Sequence, residues 1–170
     1  NKLMKGFLGS ANVDTNSRLC MASAVAGYQR AFGADYVPCS YQDLETCDLL
    51  VMVGSNAAWT HPVLYQRIAE ARKQHPHKRI VVIDPRRTRT AEEADEHVAI
   101  RPGADAHLLL AMIQVVLADG LADAGTAGEH SDGLEELPEA VAPFTPEAVA
   151  AITGLAADDI RRLAREFASA

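Results

Sequence analysis

The residues whose types could do chemistry gather in four short segments. One is Asn16-Ser17-Arg18-Leu19-Cys20, which ends on a cysteine ahead of a run of small residues. The other three each follow an apolar stretch: Gly54-Ser55-Asn56, Asp84-Pro85-Arg86-Arg87-Thr88 and Arg101-Pro102-Gly103-Ala104-Asp105. Gly54 lets backbone approach a ligand, and Ser55 and Asn56 offer donors near a helix start, a combination that suits phosphate. Arg86, Arg87 and Thr88 add charge and a hydroxyl for the same purpose. Asp84 and Asp105 are acceptors when ionised, which suits ribose hydroxyls or the paired N–H groups of guanine. Taken singly, each turn reads as a well-formed loop. Asp105, for one, stabilises the free N–H groups of a helix start with or without a ligand. Their recurrence after three successive apolar stretches points to a nucleotide site. The first of them lacks Gly-x-Gly-x-x-Gly, which disfavours an ordinary NAD-binding domain.

Cys20 precedes the small-residue run Met21 to Phe32. A thiolate at a helix start is stabilised by the helix dipole, and Arg18 is near enough in sequence to help. That setting describes a nucleophile or a soft-metal ligand equally well. Cys39 and Cys47 follow at separations of 19 and 8, neither a disulfide set nor a zinc or iron–sulfur spacing. Both read as structural, and a reducing compartment is the default. His61 precedes Pro62 at a helix start, and His75-Pro76-His77 reads as a surface turn. Neither has further metal ligands at useful spacing.

The elements that must position these segments are three units of strand, loop and helix. Asp48 to Val53 is an apolar run of buried-strand character, followed by a helix from about His61 to Gln74. Arg79 to Ile83 is the second strand. Glu96 to Ile100 is the third, and it leads into an apolar helix from Ala106 to Leu121. Short apolar strands alternating with helices imply an α/β fold of three layers, a mostly parallel sheet with helices on both faces. Ligands of such sheets sit outside the carboxyl ends of the strands, where the three polar turns fall. Met21 to Phe32 predicts a helix stopped by Gly33. Asp123 to Ser131 reads as loop, and short helices follow at about 134–141, 146–152 and 157–168. Thr145-Pro146-Glu147 places a cap before a proline in the first turn.

Composition narrows the classes. A hydrophobic share of 48% with 23% charged residues is ordinary for a soluble α/β domain. No apolar run approaches the roughly 20 residues needed to cross a bilayer, so no membrane partner is expected. The net charge of -7 argues against a nucleic-acid binder. Nine of the 16 Lys and Arg nevertheless lie between Arg67 and Arg101. A local basic belt on an acidic chain suits a compact polyanion. A solvated helix face accounts for Arg67, Arg72 and Lys73 better than for Arg86, Arg87 and Arg89. The chain opens in mid-pattern at Asn1-Lys2-Leu3 and reads as a piece of a longer protein.

Asp14 to Gly27, which includes Cys20, resembles the molybdenum-cysteine segment of bacterial nitrate reductases in the DMSO-reductase superfamily of molybdopterin oxidoreductases. Gly54-Ser55-Asn56 with His61-Pro62, then Asp84 to Thr88, then Arg101 to Asp105, match that superfamily's following motifs in order. Leu19 and the Asn1–Asn12 stretch make the likeness greatest to the assimilatory type. The resemblance implies a Rossmann-like domain holding molybdenum bis-molybdopterin guanine dinucleotide, with Cys20 as catalytic metal ligand and Asn16 beside the cofactor. It implies that Gly54, Ser55 and Asn56 hold the pyrophosphate region, that Asp84, Pro85, Arg86, Arg87 and Thr88 bind the nucleotide, and that Gly103, Ala104 and Asp105 close on guanine. It further implies nitrate as substrate, a cytoplasmic enzyme, and an NADH-linked subunit, ferredoxin or flavodoxin as electron donor. Residues 1–15 would end a preceding α/β domain, and 16–170 would form most of the cofactor-binding one, with a helical tail from about 131. The family's [4Fe–4S] cysteine cluster lies outside this sequence, so the 170 residues alone are expected to be inactive.

Overall fold

The computed structural model describes residues 1–170, except the side chains of residues 124, 126 and 127. It divides into two units, Asn1–Ser40 and Tyr41–Ala170. In the first, a wide π-helical turn spans Lys2–Phe7, and α1 (Ser17–Cys20) and α2 (Ala22–Phe32) follow. Gly33 caps α2 through its N–H to the Gln29 carbonyl at 3.1 Å, at the stop expected for it. Tyr28, Phe32 and Tyr36 form a short aromatic ladder with ring centroids 6.1 and 5.9 Å apart. No residue of this unit is buried.

The second unit runs α3 (Tyr41–Thr46), β1 (Leu49–Val53), α4 (Ala57–Thr60), α5 (Pro62–Gln74), β2 (Arg79–Ile83), α6 (Arg89–Glu93), β3 (Glu96–Val98) and α7 (Asp105–Ala118). It continues through α8 (Ala124–His130), a 3-10 turn (Leu134–Glu136), α9 (Leu137–Val141), α10 (Pro146–Thr153) and α11 (Ala157–Ser169). The strands pair in parallel in the order β1-β2-β3, with Val51 opposite Val81 and Val81 opposite Glu96.

β2 shows why the sheet is covered on both faces. Successive strand side chains point to opposite sides. Ile80 and Val82 join Met52, Ala57, Ile68 and Ala91 in one core. Val81 and Ile83 join Val98, Leu108, Met112, Val115, Ile160 and Leu163 in the other. Val82 is fully excluded from solvent, as are Ala111 and Ile160. Each aliphatic chain buried this way contributes roughly 1.5–3 kcal/mol. The apolar run predicted as a parallel strand is therefore the middle of three layers.

α11 closes the second face. Ile160, Leu163 and Ala164 turn inward, while its charged residues reach neighbouring elements. Arg162 pairs with Glu96 at the start of β3, and Arg165 pairs with Asp119 after α7 at 2.7 Å. Arg161 pairs with Glu147 of α10.

Several boundaries differ from expectation. The stretch read as loop contains α8, because the Asp123 carboxylate accepts the Gly125 N–H at 3.1 Å and offsets a poor helix composition. β3 ends at Val98 because the Ile100 N–H turns back onto the Val98 carbonyl. α7 stops at Ala118 and not Leu121. There the Leu121 N–H returns to the Val116 carbonyl at 2.9 Å around Gly120, whose φ of +66° a side chain would strain. The Thr145 cap forms as expected, its hydroxyl accepting the Ala148 N–H at 3.2 Å.

Candidate functional site

A parallel sheet puts all its strand C-termini on one edge, so the three polar turns of residues 41–170 begin side by side. The register stitches them together. The Gly54 N–H donates to the Ile83 carbonyl at 2.8 Å, and the Asp84 N–H donates to the Val98 carbonyl at 3.1 Å. The juxtaposition expected from the strand pattern is therefore present.

In the first turn Gly54 has φ +62°, a conformation that favours glycine, and no atom lies within 4 Å of where its Cβ would stand. Backbone here is open to approach. Ser55 and Asn56 are half-buried. Asn56 leads into α4, and its carbonyl accepts the N–H groups of Trp59 and Thr60 at 3.0 Å. Its side-chain Oδ1 accepts a hydrogen bond from the Thr90 hydroxyl at 3.0 Å.

In the second turn Asp84 is buried. Its Oδ1 accepts the Arg86 N–H at 2.8 Å, and its carbonyl lies 2.8 Å from His97 Nε2. Since a carbonyl only accepts, Nε2 carries the proton of that bond. The carboxylate thus organises the turn itself. Pro85, Arg86 and Arg87 project from it, exposed. Thr88 is buried and caps α6, accepting the Ala91 N–H at 3.3 Å. Its hydroxyl was expected to serve a ligand, and the helix start already occupies it as an acceptor.

The third turn is tied from behind. Arg101 donates its N–H to the Thr153 carbonyl at 2.9 Å and its Nη1 to the Ala151 carbonyl at 2.5 Å. This side chain fastens the turn to α10. Gly103 stands at the bend, Ala104 is buried, and Asp105 is the first residue of α7 and half-buried.

The basic belt resolves into two populations. Arg67 pairs with Glu45 at 2.6 Å, Arg72 with Asp95, Lys73 with Glu70 at 3.3 Å, and Arg79 with Glu96 and Glu166. Arg89, grouped with its neighbours by sequence, pairs with Glu93 at 2.5 Å. Lys78 is buried, with Nζ 3.0 Å from Cys47 Sγ. Among the described residues, the guanidinium groups of Arg86 and Arg87 have no acidic partner. Positive charge left unpaired at a strand-end turn, beside an open glycine, can bind an anion.

Asn16 and Cys20 lie in the other unit, residues 1–40. Asn16 precedes α1 and is exposed, and its side chain makes no cap bond. Cys20 ends α1, exposed, with Sγ 3.8 Å from the Asn16 carbonyl and 3.7 Å from that of Ser17. Arg18 does not assist it. The guanidinium pairs with Asp14 instead and holds that carboxyl below its ordinary range, helped by the Thr15 N–H. A second correction concerns the helix start, because α2 begins two residues after Cys20, with Met21 between.

Two residues that organise the turns were missed. Thr90 is fully buried behind the first turn, and His97 holds the second by its carbonyl. Neither stands in a turn, and neither residue type announces a role without its partner.

Residues 1–159 match the molybdopterin oxidoreductase family. A nitrate reductase of Klebsiella oxytoca is 51% identical over 170 residues, all of this chain and 19% of that protein. A periplasmic nitrate reductase of Desulfovibrio desulfuricans is 39% identical over 178 aligned positions, 99% of this chain and 23% of that one. The chain thus spans about a fifth of the length of these curated relatives. Among solved structures, acetylene hydratase from Pelobacter acetylenicus superposes with a TM-score of 0.78 at 32% identity, covering 92% of this chain and 21% of its own.

Proposed function

From the premise that the chain belongs to the molybdopterin oxidoreductase family, we propose that it is part of the catalytic subunit of a nitrate reductase. The single observation that carries this is identity of 51% to a nitrate reductase across the whole chain. In this reading the group bound is molybdenum bis-molybdopterin guanine dinucleotide. The donor set fits such a group: open backbone at Gly54, the Asn56 amide, two guanidinium groups with no acidic partner among the described residues, and the carboxylate of Asp105.

Each residue then has a task. Gly54, Ser55 and Asn56 hold the pyrophosphate region. Arg86 and Arg87 neutralise phosphate charge, on a turn shaped by Asp84, Pro85 and Thr88. Gly103, Ala104 and Asp105 close on the guanine, whose paired N–H groups need a carboxylate acceptor. Asn16 lies beside the cofactor, and Cys20 supplies the soft thiolate ligand, its exposed sulfur touching only backbone carbonyls. When bound, the cofactor supplies the reduction of nitrate to nitrite. The electron donor is an NADH-linked subunit, ferredoxin or flavodoxin, reached through a [4Fe–4S] centre elsewhere in the parent chain.

Within the family we place the protein with the cytoplasmic, assimilatory enzymes on Leu19 and the Asn1–Asn12 stretch. Residues 1–15 end a preceding α/β domain, and 16–170 form most of the one that binds the nucleotide. Met21-Ala22 after Cys20, in place of His-Gly, speaks against a formate dehydrogenase. No helix among the described residues is long and apolar enough to cross a membrane.

The test is nitrite formation by the purified full-length parent with reduced methyl viologen, alongside formate oxidation by the same sample. Nitrite without formate turnover supports the assignment, and formate turnover alone refutes it. The 170-residue chain by itself is expected to form no nitrite. Turnover by it would show that the rest of the catalytic subunit is dispensable.

A further inference from the structure

Asn56 stands at the position where an asparagine usually caps its own helix, yet its side chain makes no such bond to α4. Thr90, which arrives from α6, has taken over that task. Its Oγ1 accepts the N–H of Ala58, one of the free donors of the first turn of α4, at 3.0 Å. The same oxygen lies 3.0 Å from Asn56 Oδ1. Thr90 is fully buried, so its hydroxyl must find its partners within the protein.

A hydroxyl has one proton to give. With the Ala58 N–H directed at the oxygen, that proton needs an acceptor, and the amide oxygen of Asn56 is the one in reach. The orientation of the amide is thereby settled, since rotating it would put N–H groups against a hydroxyl proton left with no acceptor. Nδ2, on the other edge of the amide, has no protein partner among the described residues. It remains as a pair of donors in the turn that begins at Gly54.

We propose that Thr90 is a positioning residue that fixes Asn56 as a hydrogen-bond donor, so that the first strand-end turn selects an acceptor such as a cofactor phosphate oxygen. The proposal rests on the cofactor reading of Asn56 given above. It adds a residue that touches no ligand and acts only through the amide.

The experiment uses the full-length parent with its cofactor bound. The readout is the first-order rate at which guanine nucleotide, released by acid and quantified chromatographically, disappears from the protein during dialysis. A thermal melt accompanies each variant. Asn56→Ala should speed the loss about tenfold, the size of one hydrogen bond of roughly 1–1.5 kcal/mol. Thr90→Val, of similar shape without the hydroxyl, should speed it by a similar factor, and Thr90→Ser should restore the wild-type rate. Thr90→Val added to Asn56→Ala should bring no further loss, because both act on one interaction. Asn56→Asp still accepts from Thr90 but offers no N–H, so it should lose cofactor like Asn56→Ala with an unchanged melt. This variant keeps the test decisive should Thr90→Val fail to fold. Wild-type retention by Thr90→Val or by Asn56→Asp, while Asn56→Ala loses cofactor, overturns the positioning role. Multiplying effects in the double variant overturn it as well, by marking Thr90 as merely structural. Wild-type retention by Asn56→Ala overturns the cofactor reading instead.

Discussion

Residues 1–40 and 41–170 are built on opposite terms. The longer unit buries apolar side chains on both faces of its sheet and ties its last helix back with ion pairs. The shorter one buries nothing, and leaves Leu3, Phe7, Leu8, Leu19, Met21, Phe32, Tyr36 and Val37 exposed. Apolar surface of that kind is stabilised by whatever covers it. The unit with the exposed thiol of Cys20 thus lacks a core of its own, and the unit with the core holds the strand-end turns. Chemistry and stability are separable here, and substitutions should pull them apart.

The largest effect should come from Cys20→Ala in the full-length parent. Nitrate reduction should vanish while the melting transition stays within about 0.5 kcal/mol of wild type, since the side chain is exposed. A variant with wild-type turnover would remove Cys20 from the metal.

Leu108→Ala probes the other unit. It empties a site 1% exposed between β2, β3 and α11, and should cost about 2–5 kcal/mol in urea unfolding of this chain. Leu3→Ala, its counterpart in the coreless unit, should cost under about 0.5 kcal/mol. Equal costs would refute the contrast between the units.

A smaller effect separates the two arginine populations. Replacing Arg86 and Arg87 together by Ala should weaken retention of the guanine nucleotide about tenfold or more, with no change in melting. Arg79→Ala, which breaks pairs with Glu96 and Glu166, should lower the melt and leave retention alone. The reverse pattern would mean that the free charges serve the fold.

The smallest effect appears only in strong base. Burial, and then the hydrogen bond to Glu93, push the Tyr65 phenol from 10.0 up to about 12. Because the folded state favours the neutral form, the stability this provides is complete below pH 10. It is lost as the pH rises through about 12. A spectroscopic titration should show a phenolate step near that pH, absent from Tyr65→Phe.

Much of this was legible along the chain. Val81, Val82 and Ile83 announce a strand buried on both sides, Gly33 a helix stop, and Thr145-Pro146 a helix start, because each depends on neighbours in sequence. The same holds for the three polar turns, whose common edge follows from parallel pairing alone. Arg18 and Arg89 pair with Asp14 and Glu93, each four residues away, a spacing at which side chains meet on one helix face and which the sequence already displays.

What the sequence determined by itself, then, was the order of strands and turns and the residue types that meet at their ends. Only the tertiary structure decided which charges are spent on the fold and which stay free. It left the guanidinium groups of two of the nine clustered bases, Arg86 and Arg87, without a partner among the described residues, and it brought Thr90 across 34 residues to bond Asn56. The physical reason is that backbone preference is local, whereas the ion pairs of Arg67, Arg72 and Arg79 and the partners of the buried Thr90 hydroxyl are set by distances that exist only once the sheet has formed.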